Sequence, residues 1–257
     1  MRFAAALSWL PLCLLQACTL PMFEVAPRYG LLAIDGDASL STSGSSGSVD
    51  LDEAGLDDDR LFSGLADFKF GAPHLVLLGQ SPHFTGQGTL SAAVDDGVDA
   101  IPSGAAVDSD VDLALYDGAL VFDLVPGDTF EVALGLGGSY LDLDFSFEEL
   151  GTGTLVDSAQ SFGVPLVAGI ASVQLGSLQL AAYVGGTDFR LNGNSVTYWD
   201  GDAFLRWRLL GGDQHFRGSL VLGYRVTHVD GDYDDGSTQV SADVDLRGPY
   251  AGIELGL

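Results

Sequence analysis

Apolar residues alternate with small or polar ones again and again along this 257-residue chain. That two-residue period belongs to β-strands and not to helices. In Asp202–Leu210, Ala203, Leu205, Trp207 and Leu209 point one way; Asp202, Phe204, Arg206 and Arg208 point the other. In 216–228, Leu220, Leu222, Tyr224 and Val226 oppose Ser219, Val221, Gly223 and Arg225. Over 129–139, Phe130, Val132, Leu134 and Leu136 oppose Glu131, Ala133, Gly135 and Gly137, and 178–187 repeats the pattern from Leu178 to Val184. No stretch beyond the N-terminus holds the roughly 18 consecutive apolar residues of a membrane-spanning helix.

The second face decides between architectures. A soluble sandwich carries charged and polar side chains on its outer face. Here the second face is glycine-rich and small, with occasional arginines and acids. That suits the lumen of a narrow antiparallel up-and-down barrel whose Leu, Val, Phe and Tyr meet lipid; a secreted soluble barrel or sandwich is the alternative. The expected lumen charges are Asp67, Lys69, Glu131, Arg206, Arg208 and Arg225, with Arg206 and Arg208 neutralising acids such as Glu131 and Asp67. Composition agrees. Thirty-six acids against ten basic residues give a net charge of −26, yet 47% of residues are hydrophobic, too many for a disordered acidic chain. Nothing supplies a basic stripe for phosphates, so nucleic acid is excluded as an expected partner.

The alternation predicts ten strands, at 28–41, 61–70, 73–86, 106–125, 128–147, 160–175, 178–191, 195–210, 215–229 and 239–257, with eight or twelve as alternatives. Short turns at Gly71-Ala72-Pro73, Pro126-Gly127-Asp128, Gly176-Ser177 and Gly211-Gly212-Asp213 alternate with longer polar segments near 41–60, 93–106, 148–160 and 229–238, the asymmetry of bacterial outer-membrane barrels. Apolar parity flips at Asp117-Gly118, where a bulge is expected, and again at Gly248-Pro249, where a bulge or local break is expected. Twenty of the 36 acids fall in 35–59, 95–112 and 229–245, which are assigned to loops and strand ends. Asp50–Arg60 is expected to be a short helix or a plug at a barrel mouth.

Residues 1–17 carry one positive charge, Arg2, and an apolar run, the layout of a secretory signal. Leu15-Gln16-Ala17-Cys18 resembles the lipobox of bacterial lipoproteins, which implies lipidation of Cys18, and Thr19 after it implies sorting to the outer membrane. Both cysteines, Cys13 and Cys18, lie here, so the remainder holds no disulfide. The expected organisation is a signal peptide at 1–17, a tether at 18–27 and a barrel at 28–257. At the other end, Gly252-x-x-Leu255-x-Leu257 resembles the β-signal that outer-membrane assembly machinery recognises. The stretch from about residue 28 resembles small outer-membrane barrels of the OmpA/OmpX/OmpW kind.

Little in the sequence points to catalysis. His228-Val229-Asp230 is the most suggestive local imidazole–carboxylate pair, and His83 near Ser81 is the His–Ser candidate; neither carries a distinctive enzyme motif, so no catalytic residue is assigned. Asp230, Asp232 and Asp234 superficially resemble a calcium loop, but the glycine is one place late and Ser241 stands where a closing Glu belongs. The expectation is a monomeric, non-enzymatic barrel of the bacterial outer membrane, without cofactor, in contact with membrane lipid and lipopolysaccharide, with divalent cations as bridging partners. Its role would be structural, in surface recognition or in adhesion; a lipid- or peptide-modifying barrel enzyme and a narrow pore are the alternatives.

Overall fold

A computed structural model describes residues 22–42, 48–56, 59–95, 98–127, 129–191, 194–211, 216–234 and 238–257. Ten antiparallel strands close into a barrel. They are β1 (Met22–Thr42), β2 (Asp59–Lys69), β3 (Pro73–Gln80, resumed as His83–Thr89), β4 (Ala106–Val125) and β5 (Phe130–Glu149). The remainder are β6 (Leu155–Leu175), β7 (Leu178–Leu191), β8 (Asn194–Leu210), β9 (Arg217–Asp234) and β10 (Thr238–Gly256). Each pairs with its sequence neighbour, and β10 closes on β1 from Glu24↔Gly256 to Thr42↔Thr238. The two parts of β3 keep one register against β4, from Pro73↔Phe122 to Thr89↔Ala106. Ser81-Pro82 therefore interrupts the strand without shifting it, as a residue lacking an N–H donor does.

The wall starts earlier than the sequence suggests. Residues 22–27, assigned to a tether, are the first part of β1. Pro27 reads as a break, but it sits where the ladder to β10 skips from Val25 to Arg28, while pairing with β2 continues through Pro27↔Gly64. The signal segment and Cys18 lie outside the described residues.

Along the strands, the barrel reverses its polarity. Near the short turns, outward residues are apolar: Leu31, Phe62, Leu120, Phe122, Leu134, Leu136, Leu180, Val184, Leu222 and Ile253 are all exposed. Nearer the long-loop end the apolar residues turn inward, as with Leu113, Leu115, Leu143, Phe145, Phe147, Val244 and Leu246, and the outward positions carry Asp108, Asp112, Asp144 and Glu148. Strand length explains this. Twenty residues of β4 at about 3.3 Å each and a tilt of about 40° rise ~50 Å, twice the ~25 Å apolar band of an outer-membrane barrel. Only half of each long strand can lie in lipid. The other half stands in water and must bury its apolar side chains inside.

Both expected bulges are absent for this reason. β4 passes through Asp117-Gly118 in unbroken register with β5 (Asp117↔Ser139, Gly118↔Gly138), and β10 passes through Gly248-Pro249 in unbroken register with β9. The ladder of β10 to β1 breaks locally there, from Gly30↔Tyr250 to Ala33↔Arg247. Parity flips because the surroundings invert, not because the strand kinks. The bulges that do occur lie at the short-turn end, between Asp123 and Val125 and between Arg208 and Leu210. The segments near 148–160 and 229–238 are likewise mostly strand, so many acids assigned to loops and strand ends sit on the outer face of the wall.

Two excursions complete the protruding half. The β2–β3 ladder stops at Ser63↔Gln80, and residues 51–56 fill the gap above it with buried Leu51, Ala54 and Leu56. Leu56 bridges Gly86, and a Cβ at Gly86 would lie 1.7 Å from the Gly55 carbonyl oxygen; only glycine permits this docking. The expected plug is thus a plug in the wall, and it is a turn, not a helix. A small hairpin, Val94–Asp95 paired with Ala100–Ile101, packs against both β1 and β6. These strands stand on opposite sides of the ring, so the hairpin crosses the long-loop mouth, with Val94 and Ile101 buried beneath it.

Candidate functional site

At membrane level the lumen is filled by paired charges. Asp200 accepts from Arg225 Nε at 2.8 Å and Nη2 at 2.9 Å, and from Thr227 Oγ1 at 2.7 Å. Gln80 donates to Thr227 from across the barrel. Arg28 donates to Asp202, which also accepts from Tyr250 Oη, and the Arg28 guanidinium lies 4.8 Å from the Phe204 ring centre and 4.7 Å from that of Tyr250, within cation–π range. Gly252 makes room for it, since a Cβ there would meet the Pro27 carbonyl oxygen at 2.6 Å. Asp117 accepts from Ser139, Tyr198 and Tyr183 hydroxyls at 2.6, 3.0 and 3.3 Å. Arg28, Arg225, Asp200 and Asp202 are at most 2% exposed.

Above this layer lies an apolar cavity of about 230 Å³, lined mainly by Leu143, Phe145, Phe162, Val164, Phe189 and Val229. Its wall is split. The β6–β7 ladder ends at Val167↔Gly186. Beyond that point β6 continues to Leu155 paired only with β5, and β7 continues to Leu191 paired only with β8. Phe162 and Phe189, at the seam, are half-buried, as is Val196 beside them in the cavity wall. The β2–β3 gap is plugged by residues 51–56; among the described residues no segment plugs the β6–β7 seam. The last pair of the ladder is flanked by exposed apolar residues, Val167 pairing with Leu136 and Gly186 with Trp199, so the seam begins beside the apolar belt.

The sequence-assigned residues separate into groups. Asp67, Lys69, Glu131, Arg206 and Arg225 face the lumen, and Arg208 lies in a polar basin of about 390 Å³ at the short-turn mouth with Arg217 and Gln174. Their pairing differs from the expectation. Arg206 meets Glu254 at 2.7 Å and Glu24 at 3.4 Å, whereas Glu131 meets Lys69 at 2.8 Å. The cause is position: β8 faces β10 and β1, and the lumen filling separates it from β2 and β5. Arg28, Asp117, Asp200 and Asp202 carry the network and were not singled out from sequence, although the alternation that turned Asp202 inward places Asp200 beside it. Gly252 faces the lumen, and Leu255 and Leu257 face outward at the end of the wall.

The calcium-loop resemblance does not survive. Asp230, Asp232 and Asp234 belong to β9, and Asp230 and Asp232 pair in register with Thr197 and Ser195; an extended strand cannot wrap its carboxylates round an ion. His228 and Asp230 point outward together, and His228 Nδ1 instead lies 2.9 Å from Asp245. His83 Nδ1 lies 2.8 Å from Asp112. The outer face carries acids directly opposite acids: Asp112↔Asp144, Asp108↔Glu148, Asp35↔Asp245 and Asp37↔Asp243. Partial desolvation, then the carboxylates of Asp142 and Asp112, push the Asp144 carboxyl above its ordinary range.

No protein-family model matches the chain, and no curated protein matches it. Among solved structures, the outer membrane protein OprG from Pseudomonas aeruginosa is similar at 14% identity, covering 92% of this chain and 95% of its own, with a TM-score of 0.41. The transport unit of the autotransporter AIDA-I from Escherichia coli is similar at 7% identity, covering 93% and 90%, with a TM-score of 0.41. Ail, the attachment invasion locus protein of Yersinia pestis, is similar at 12% identity, covering 90% and 98%, with a TM-score of 0.31. A closed ten-strand antiparallel wall with an apolar belt and short turns at one end is the architecture of an outer-membrane β-barrel, and the chain resides in that membrane.

Proposed function

We propose that this barrel binds an apolar small molecule in its protruding half, admitted sideways through the β6–β7 seam. The observation that carries this is an apolar cavity beside unpaired wall. Ligand sites are concave and mostly apolar with a few polar groups, and Gln160 and Asn194 supply such groups here. The capping hairpin and the paired charges below leave the seam as the approach. The protein acts without catalysis and without a conducting lumen, anchored additionally by lipid on Cys18. Binding of a fluorescent fatty-acid analogue to the folded protein in detergent tests the proposal. Saturable binding lost in Ala242→Trp, which fills the cavity, supports it; equal binding by both proteins overturns it.

A second reading rests on the acidic outer face. Acids opposed across strands stand on the part of the barrel that projects from lipid. Such a surface suits recognition of a cationic partner, or cation-bridged contact with lipopolysaccharide phosphates. Fatty-acid labelling lost on Cys18→Ala tests the anchor separately.

A further inference from the structure

At the short-turn end of the lumen, well below the cavity, four strands bring a histidine and three carboxylates together. His74 from β3 is 1% exposed, and its Nε2 lies 3.1 Å from Asp123 Oδ1 on β4 and 3.7 Å from Glu131 Oε1 on β5. One ligand atom from each of the three lies within 4.8 Å of the others. On the opposite edge of the ring, Nδ1 faces Asp67 Oδ2 of β2 at 3.7 Å. Lys69 Nζ lies 2.8 Å from Glu131 and 4.0 Å from Asp67.

We propose that His74, Asp123 and Glu131 form a binding site for a divalent transition-metal ion such as Zn²⁺, with Asp67 orienting the imidazole. Four observations converge on it. Ligands at about 2.0–2.2 Å from one ion stand about 3.0–3.4 Å apart in octahedral or tetrahedral arrangements, close to the separations found. The buried Asp123 Oδ1 has no hydrogen-bond partner, so the 3.1 Å approach of His74 Nε2 to it is not a satisfied hydrogen bond. The β4 bulge falls between Asp123 and Val125, and bulges re-aim a side chain at sites of this kind. With the carboxylates ionised, three negative charges against the Lys69 ammonium leave two around a neutral imidazole, the charge of one divalent ion.

One imidazole with carboxylates suits Zn²⁺, Fe²⁺ or Mn²⁺ better than soft-ligand metals. A carboxylate on the non-ligating nitrogen is the arrangement that fixes the tautomer of metal-bound histidines. Lys69, the one lysine in the chain, then competes with the ion for Glu131. The remaining coordination positions, one in a tetrahedral site and three in an octahedral one, would open toward the polar basin that Glu131 and Lys69 also line. Such an ion would clamp β3, β4 and β5 together at the short-turn mouth.

The test is Co²⁺ and Zn²⁺ titration of the full-length folded protein in detergent, reading visible Co²⁺ absorption and calorimetric stoichiometry. Heat-modifiability on gels verifies that every variant is folded. The expected result is one high-affinity ion per chain, with affinity lowered at least tenfold in His74→Ala and about tenfold in Asp67→Asn, and raised in Lys69→Gln. Unchanged binding in folded His74→Ala overturns the proposal, because the surface acids then hold the ion. No ion bound by the wild type overturns it equally, and leaves a protonated His74 as the partner of these carboxylates. If His74→Ala does not fold, Asp123→Asn and Lys69→Gln must still shift affinity in opposite directions.

Discussion

The membrane half and the protruding half of this barrel share the same strands and, outside the β2–β3 and β6–β7 gaps, the same pairing, yet their polarity is opposite. On β5, Leu134 and Leu136 face out while Glu131 faces in; ten residues on, Asp144 faces out while Leu143 and Phe145 face in. Where the strands are paired, backbone bonding is indifferent to this switch, because the ladder satisfies N–H and C=O groups in either solvent. Side chains are not indifferent. In lipid the hydrophobic effect gives no reason to bury leucine inside, and the lumen is free to hold ion pairs. In water the same wall works only with an apolar core, as in a small soluble barrel.

The sharpest way to break the comparison is to disturb each interior in its own terms. Asp200→Ala leaves Arg225 buried and unpaired in the membrane half, and a loss of about 3–5 kcal/mol is expected in denaturant unfolding. Replacing the pair together, Asp200→Leu with Arg225→Met, should come close to neutral. In the protruding half, Leu113→Ala opens a void in a true core at a cost of about 2–5 kcal/mol. Leu136→Ala, on the lipid face, should cost far less, since lipid fills the space.

Charge on the outer face sharpens the boundary itself. Leu136 is 70% exposed, and Leu136→Arg should cost about 2–4 kcal/mol near the midplane of the bilayer, measured by unfolding from lipid vesicles. Asp144→Arg on the same strand should cost nothing and relieve repulsion. The smallest effect belongs to pH. Because the folded-state Asp144 carboxyl is raised, its protonation favours the folded state. That contribution is full below about pH 3.9, the unfolded value, and is lost as pH rises through the raised folded value. Unfolding midpoints followed upward from about pH 4 should therefore fall more in wild type than in Asp144→Asn, by a few tenths of a kcal/mol, and salt should narrow the gap.

Much of the wall was legible. Leu205, Trp207 and Leu209 alternate against Phe204, Arg206 and Arg208 because one solvent, lipid, acts on one face throughout that stretch. The same logic misreads β4 and β10, where alternation crosses the membrane boundary. A parity flip in sequence is identical whether the strand kinks or its surroundings invert, and only the register across Asp117↔Ser139 separates the two. The seam was not legible at all, because it is a missing ladder between β6 and β7 and no residue type marks it.

The sequence by itself determined the strand character of the wall and which residues near the short turns face outward, since a period of two admits only two faces. It pointed to ten strands while leaving eight and twelve open. The tertiary structure alone decided how far the strands rise above the membrane, which charges pair, and where the wall opens. Those depend on which strands stand opposite one another across the ring: Arg206 meets Glu254 and not Glu131, and His74, Asp123, Glu131 and Asp67 converge from four strands. Distance across a closed ring is not encoded in the local alternation of its wall.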